Sequence, residues 1–367
     1  MSEPAFDSKR IDCLTAGTLL AGLIASLIAV RVPELVQGRV APAPAWSGPP
    51  SAAVAVPPPR LESKPALFAT SGVPVPAPRA DAAPQPAALS FERVSRVGRT
   101  VAVDDTAELS KAFERMGYHL DGLDDGGLAV PRVIVSALPP DLPRLEEADL
   151  RKTVFAQLLL PLVLQVNEAL LDQRQRLVAL RDKLDSGGSL SARDRRTLES
   201  LAAYYNADPD DVDGLIERID IIPPSLALAQ AALESGWGTS RVAREGNAVF
   251  GQYMFDEGVE PASDEPSAQA IYRLRTFGGL LDAVIAYAHN LNTHRAYRAF
   301  RAERAAARAD GRELDGYALA GLLTRYSTRG QDYVSDVRRL IRQNDLDAFD
   351  NAWLVGGKIT RVVFNDT

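Results

Sequence analysis

Fourteen of the chain's 25 prolines fall between Pro33 and Ala88, and that crowding limits where anything can fold. Proline fixes its own φ, removes a backbone donor and pushes the preceding residue out of the helical region. Mixed with Ala, Val and Ser, the segment buries too little surface to offset the entropy of ordering it. Residues 33–90 are therefore expected to form a disordered or polyproline-like linker. Extended at roughly 3.1 Å per residue, it would reach on the order of 170 Å. Folded structure is expected to resume near Phe91.

Ahead of the linker, residues 1–12 carry charge and residues 13–30 carry none. About 18 apolar or small residues is the lower limit for crossing a bilayer. Ile28-Ala29-Val30-Arg31-Val32-Pro33 offers no small-x-small cleavage site, so the run reads as an uncleaved signal anchor, with a late cut near Ala41-Pro42-Ala43 as the alternative. Cys13 precedes the apolar run and is misplaced for a lipoprotein signal. Lys9 and Arg10 favour a cytoplasmic N-terminus.

A chain of 367 residues, 46% hydrophobic, can bury a large core and allows two or three domains. The net charge of -7 argues against nucleic acid as a partner. One cysteine excludes a disulfide framework and a thiolate metal site. His119, His289 and His294 are too scattered for a zinc triad, so neither a metal nor a cofactor is expected.

The segment Pro223 to Gly238 reads as an apolar helix. Pro224 suits the first helical position and Gly236 and Gly238 the stop, where they also allow a polymer to approach closely. Glu234 is the one carboxylate on it, on the last turn. An apolar wall and the negative end of the helix dipole both favour its protonated form, which suits a general acid. An exposed carboxylate closing an ordinary amphipathic helix fits the same pattern equally well.

Elsewhere the spacing predicts an extended arm from Val94 to Val103, a helix over 106–116 and an extended segment over 131–135. The acidic turn Asp121 to Gly127 lacks the ligand spacing for calcium. A long helix or kinked pair spans 146–184, with Phe155, Leu158, Leu159, Leu162 and Val166 as its buried stripe and Pro161 as a bend. Further helices are expected over 190–206, 210–219, 280–291, 297–309, 317–326 and 332–343. Between them, 258–269 is polar and ends on a strand at 270–274, which suggests a small β-hairpin lobe.

Three motifs sharpen this outline. Ala231-Ala232-Leu233-Glu234-Ser235-Gly236-Trp237-Gly238-Thr239-Ser240 is followed by Gly246-Asn247-Ala248-Val249-Phe250-Gly251. Then come Asn290-Leu291-Asn292-Thr293-His294 with Ala296-Tyr297, and Tyr326-Ser327-Thr328 with Tyr333-Val334. In this order they resemble the bacterial N-acetylglucosaminidases of the glucosaminidase superfamily, a family 73-like group of glycoside hydrolases. Asn344 to Asp350, and Arg151-Lys152 with Leu159 to Leu164 and Asn167, resemble its Bax-type members. Ala248 and Val249 stand where that family has Asn and Leu.

The resemblance implies a mainly α protein: a lysozyme-like α+β hydrolase domain with a small β-hairpin lobe, preceded by a helical region and a membrane anchor. The implied division is an accessory region at 91–206, a catalytic domain at 207–350 and a tail at 351–367. The implied reaction is hydrolysis of the β-1,4 bond between N-acetylglucosamine and N-acetylmuramic acid in peptidoglycan, with Glu234 as general acid. It would take place in the periplasm, with residues 13–30 holding the inner membrane. By the same resemblance Tyr326 joins Glu234 in catalysis and Tyr333 lines the cleft; Trp237, Asn247, Phe250 and Gln252 are further candidates to meet the glycan, with Trp237 and Phe250 also readable as core and Asn247 as a turn cap.

Glu257, Glu260, Asp264 and Glu265, in the hairpin lobe, are candidates for a second acid, each also readable as simply solvated; the substrate's acetamido group is the other option. A lytic transglycosylase would use the same lone glutamate without a base, and a catalytically silent wall-binding protein is a further alternative. Residues 91–206 are expected to pack on the hydrolase and restrain access. Residues 291–343 carry 11 arginines against 6 acids, a surplus that either meets wall-peptide carboxylates or forms a solvated helical face.

Overall fold

The computed structural model describes residues 97–121, 127–251, 253–254, 273–274 and 276–365. The predicted anchor, the linker, most of the hairpin lobe and, among the candidate site residues, Gln252, Glu257, Glu260, Asp264 and Glu265 lie outside the described residues. All described residues fall within one compact unit, Pro78–Thr367.

At its centre runs α2, Ala148–Asp185, a single 38-residue helix that passes through Pro161 without breaking. The expected buried stripe is wider than a stripe: every residue from Val154 to Asn167 is buried. Neighbours on all sides account for this, since α2 touches α4 (Val212–Arg218), α5 (Pro224–Ser235), α7 (Leu280–Thr293) and the short strand β3 (Val133–Val135). A helix apolar all round is one wrapped by its own protein or by lipid. Here 83% of its most apolar window is buried inside the protein, so it is a core helix. Several of its buried polar side chains bond backbone: Gln157 Nε2 donates to Tyr118 O, Gln165 Nε2 to Val133 O, and Asn167 both donates to and accepts from Ile222.

Helix α1, Thr106–Arg115, starts where Asp105 caps Glu108 N, as a β-region Asp should. Strand β1, Val97–Val103, and β3 both pair in parallel with β7, Ile359–Phe364, in the order β1-β7-β3. Residues 351–367, expected as a tail, thus contain the central strand of this sheet. Its run Ile359-Thr360-Arg361-Val362-Val363-Phe364 is β-branched and aromatic, which suits a strand. A second parallel pair joins β2, Ala129–Val130, to β6, Trp353–Leu354. The remaining helices are α3 (Ala192–Tyr204), α6 (Arg241–Gly246), α8 (Arg298–Ala309), α9 (Gly316–Ala320) and α10 (Gln331–Gln343). Helix α9 is shorter than the predicted 317–326, because Gly321 begins a series of turns that reach Tyr326.

The base of the expected hairpin lobe is present as an antiparallel pair, β4 (Tyr253–Met254) with β5 (Arg273–Leu274). A mainly helical body with one small antiparallel pair agrees with the lysozyme-like class. A polar knot surrounds Arg304, which is fully buried. Its guanidinium donates to the carbonyls of Arg218, Asp220 and Ile221 and to Asn292 Oδ1. Asn292 Nδ2 in turn donates to Asp220 O, tying α7, α8 and the end of α4 together. Burial lowers the Arg304 pKa to about 10, so it remains charged at neutral pH.

Candidate active site

Helix α5 carries the central carboxylate, and its first turn is secured by a distant residue and its last by the turn that follows. Pro224 opens it as predicted, but proline supplies no side-chain cap. The cap comes from Asp350 instead: Ser225 N donates to Asp350 Oδ1 and Ser225 Oγ to Asp350 Oδ2, each at 2.7 Å. At the other end Gly236 takes the left-handed conformation at φ 60° and its N–H bonds Ala232 O. Ser235 is buried and pins the turn, donating to Ala231 O and accepting from Gly238 N. Gly238 was expected to admit a polymer. A Cβ there would instead meet Leu142 Cδ2 at 2.8 Å and Phe155 Cδ2 at 3.1 Å, so its bareness serves the core.

Glu234 is half-buried on the last turn of α5. Burial pushes its pKa above the ordinary carboxylate value, while a hydrogen bond from Tyr333 and the charge of Arg329 pull the other way. Gly251, at φ +64°, roofs it: a Cβ on that glycine would stand 2.7 Å from Glu234 Oε2. Gly251 closes the Gly246 to Gly251 motif, but its approach to Glu234 joins different elements and leaves no local signal.

A chain of hydrogen bonds leads to the carboxylate. Tyr287 OH donates to Gln230 Oε1 at 2.7 Å, Gln230 Nε2 donates to Tyr333 OH at 2.8 Å, and the Tyr333 hydroxyl bonds Glu234. Gln230 lies one helical turn before Glu234, so i, i+4 spacing alone would have placed both on one face. Burial first, then the neighbouring Glu234, raises the Tyr333 pKa, which keeps the hydroxyl protonated and able to donate. Tyr326 stacks on Tyr333 with ring centres 5.4 Å apart, and its hydroxyl donates to Phe250 O at 3.1 Å. Tyr297 follows at 6.1 Å from Tyr326. Its pKa is raised to about 12, chiefly by burial.

The predicted residues divide around this cluster. Glu234, Tyr326, Tyr333 and the backbone of Phe250 are brought together. The Phe250 ring is buried and stacked on Tyr287 at 4.0 Å, so what it presents to Tyr326 is its carbonyl. Trp237 sits at φ 56°, an unusual conformation for a bulky residue. Its ring meets Phe155 edge-on at 5.7 Å, with Lys152 Nζ 5.8 Å above it. Asn247 ends α6 in the left-handed region and donates to Phe277 O, while its buried Oδ1 finds no partner among the described residues. In the Asn-Leu-Asn-Thr-His motif, Asn292 is committed to the Arg304 knot and His294 caps the turn that leads to Tyr297. Among the described residues no group of three His, Cys, Asp or Glu could hold a metal ion.

Such an arrangement favours the protonated form of Glu234 more than water does. Residues 212–346, from α4 through α10, match the profile of the glucosaminidase family, described as mannosyl-glycoprotein endo-beta-N-acetylglucosaminidase. Over 200 residues the chain is 32% identical to Protein bax of Escherichia coli (strain K12), a match covering 53% of this chain and 70% of that protein. No solved structure matches the chain significantly. With the ordered motifs, the helical fold and these matches in agreement, the chain belongs to the glucosaminidase superfamily.

Proposed function

We propose that this protein hydrolyses peptidoglycan as an endo-β-N-acetylglucosaminidase, with Glu234 as the general acid. The observation that carries the reading is the half-buried Glu234 carboxylate, its pKa raised by burial, held between Gly251 and Tyr333. Glu234 would protonate the oxygen leaving N-acetylglucosamine as an oxocarbenium-like transition state develops. One positioned acid contributes about 10²–10⁴-fold. Tyr333 orients the carboxylate through its hydroxyl. Tyr326 fixes the carbonyl of Phe250, next to Gly251, and so holds the roof over it. Trp237, Asn247 and Gln252 would contact the glycan. Water would be activated by one of Glu257, Glu260, Asp264 or Glu265, or replaced by the substrate's acetamido oxygen as internal nucleophile. Residues 13–30 would anchor the chain in the inner membrane, with the linker carrying residues 91–367 to the wall in the periplasm.

The test is digestion of purified peptidoglycan by the wild type and by Glu234→Gln, read by mass spectrometry. Reducing N-acetylglucosamine ends made by the wild type alone are the expected result. Anhydro ends on N-acetylmuramic acid would replace the reading with a lytic transglycosylase. Binding without any product would replace it with a wall-binding protein.

A further inference from the structure

Three helices meet behind Glu234 in a line of polar groups sealed from water. Tyr287 on α7, Gln230 on α5 and Tyr333 on α10 are 0%, 0% and 2% exposed. Tyr287 OH gives its hydrogen to Gln230 Oε1 at 2.7 Å, and Gln230 Nε2 gives one to Tyr333 OH at 2.8 Å. Both tyrosine rings are fixed by stacking, Tyr287 on Phe250 at 4.0 Å and Tyr333 on Tyr326 at 5.4 Å. Gln230 lies one turn from Glu234 on the same face of α5, and the Tyr333 hydroxyl bonds them both.

An amide can turn over and exchange its oxygen and nitrogen with almost no change of shape. The two senses differ in what they leave to Tyr333. In the observed sense the Tyr333 oxygen accepts from Gln230, so its single hydrogen is left for Glu234. In the opposite sense Gln230 Oε1 would take that hydrogen. The Tyr333 oxygen could then only accept, and the neighbour with a proton to give is Glu234 itself. The first sense leaves the proton of the acid for the substrate; the second ties it up inside the protein. Tyr287, donating to Oε1, holds the amide in the first. Among the described residues, the other charged or titratable groups that act on Glu234 are Arg329, Tyr297 and Tyr326.

We infer that Gln230 and Tyr287 are positioning residues for the acid: through Tyr333 they keep one oxygen of Glu234 as an acceptor, so that the proton given to the substrate rides on the other. This rests on Glu234 being the general acid. It adds two buried residues, neither in contact with the substrate, that set where the acid carries its proton.

The test uses full-length protein. Tyr287→Phe removes one buried hydroxyl from the far end of the relay and leaves the Gln230 amide free to turn over. The alkaline limb of kcat/KM on purified peptidoglycan should rise by about half a pH unit or more, because Tyr333 then stabilises the protonated acid as readily as the ionised one. At the optimum kcat should fall about tenfold with KM unchanged. Gln230→Met should act in the same direction, and Tyr287→Phe decides the matter if loss of a buried amide unfolds that variant. Added to Tyr333→Phe, Tyr287→Phe should move the limb no further, since the relay is already cut. A limb that stays in place in Tyr287→Phe, whatever its Tm, overturns the inference. So does a limb that moves as far with Tyr333→Phe as without it. The Glu234 carboxyl is also read directly, by NMR of glutamate-labelled protein without substrate, its signal identified by its absence from Glu234→Gln. If the wild type cleaves nothing while Tyr287→Phe raises that titration, the proposed reaction fails and the relay stands. A titration that does not move overturns the relay.

Discussion

Gly251→Ala isolates the geometry of the acid. The new methyl would begin 2.7 Å from Glu234 Oε2 and 3.4 Å from its Cδ. Comfortable contact needs roughly 3.3 Å or more, so the carboxylate must retreat by about 0.6 Å. A carboxylate at the end of a flexible side chain moves cheaply, and the fold should lose little from the contact itself. The backbone adds a separate cost, because alanine in the left-handed region is disfavoured by about 1–2 kcal/mol. That corresponds to a fall in Tm of roughly 2–8 °C for a folded part of this size. Activity should suffer more, since a misplacement of about 1 Å at a reacting group costs on the order of 10²-fold. We expect kcat on purified peptidoglycan to drop about 10–100-fold. Gly117→Ala supplies the control: its φ is +65°, almost the same, and nothing lies within 4 Å of its Cβ position. It should show the same loss of Tm and full activity. If Gly251→Ala keeps kcat within about twofold of wild type while both variants lose equal stability, Glu234 is not held where the reaction needs it.

Three further outcomes follow from the same contacts. Tyr333→Phe leaves buried Gln230 Nε2 without its acceptor and should cost about 1–3 kcal/mol in denaturant unfolding. It also removes the hydrogen bond that lowers the Glu234 pKa, so the alkaline limb of kcat/KM should move to higher pH; a shift to lower pH would contradict the hydrogen-bond order. Asp350, raised from 3.8 to about 6 chiefly by burial, holds its proton more tightly folded than unfolded. Its contribution is full below pH 3.8 and is lost as pH rises through about 6, a change of about 3 kcal/mol at most that should be present in the Tm–pH profile of the wild type and missing from that of Asp350→Asn. Deleting residues 91–206 removes α2 and its contact with α5, so it should yield a protein without cooperative thermal unfolding; a folded and more active product would restore the view of that region as a restraint.

Much of the site was legible because its signals are local. Pro224 and Gly236 mark a helix by their own backbone preferences, and Glu234 follows from its place on that helix. The ordered motifs then singled out Tyr326 and Tyr333. What escaped depends on residues that meet only after folding. Gly251 over Glu234, Asp350 capping α5 and the Tyr287–Gln230–Tyr333 relay each join separate elements. Asn292 was visible as part of a motif, yet its partner is the buried Arg304, and no spacing rule reveals that pairing. In α2, the apolar residues wrap the whole circumference, so a search for one face found only part of what is buried. The central strand β7 was readable in its β-branched residues but was assigned to a tail.

The parallel pairing of β1 and β3 onto β7 also bears on the order in which the protein assembles. Val101 and Val135 share one partner, Val362, far along the sequence from both. Ribosomal synthesis delivers that partner after both of the strands it joins. Until it arrives, β1 and β3 expose unpaired edges, and closing so long a loop costs entropy before any pairing repays it. The sheet is therefore a late event in the life of each molecule. Any chain cut short before residue 359 leaves those two strands permanently open to association with one another's copies.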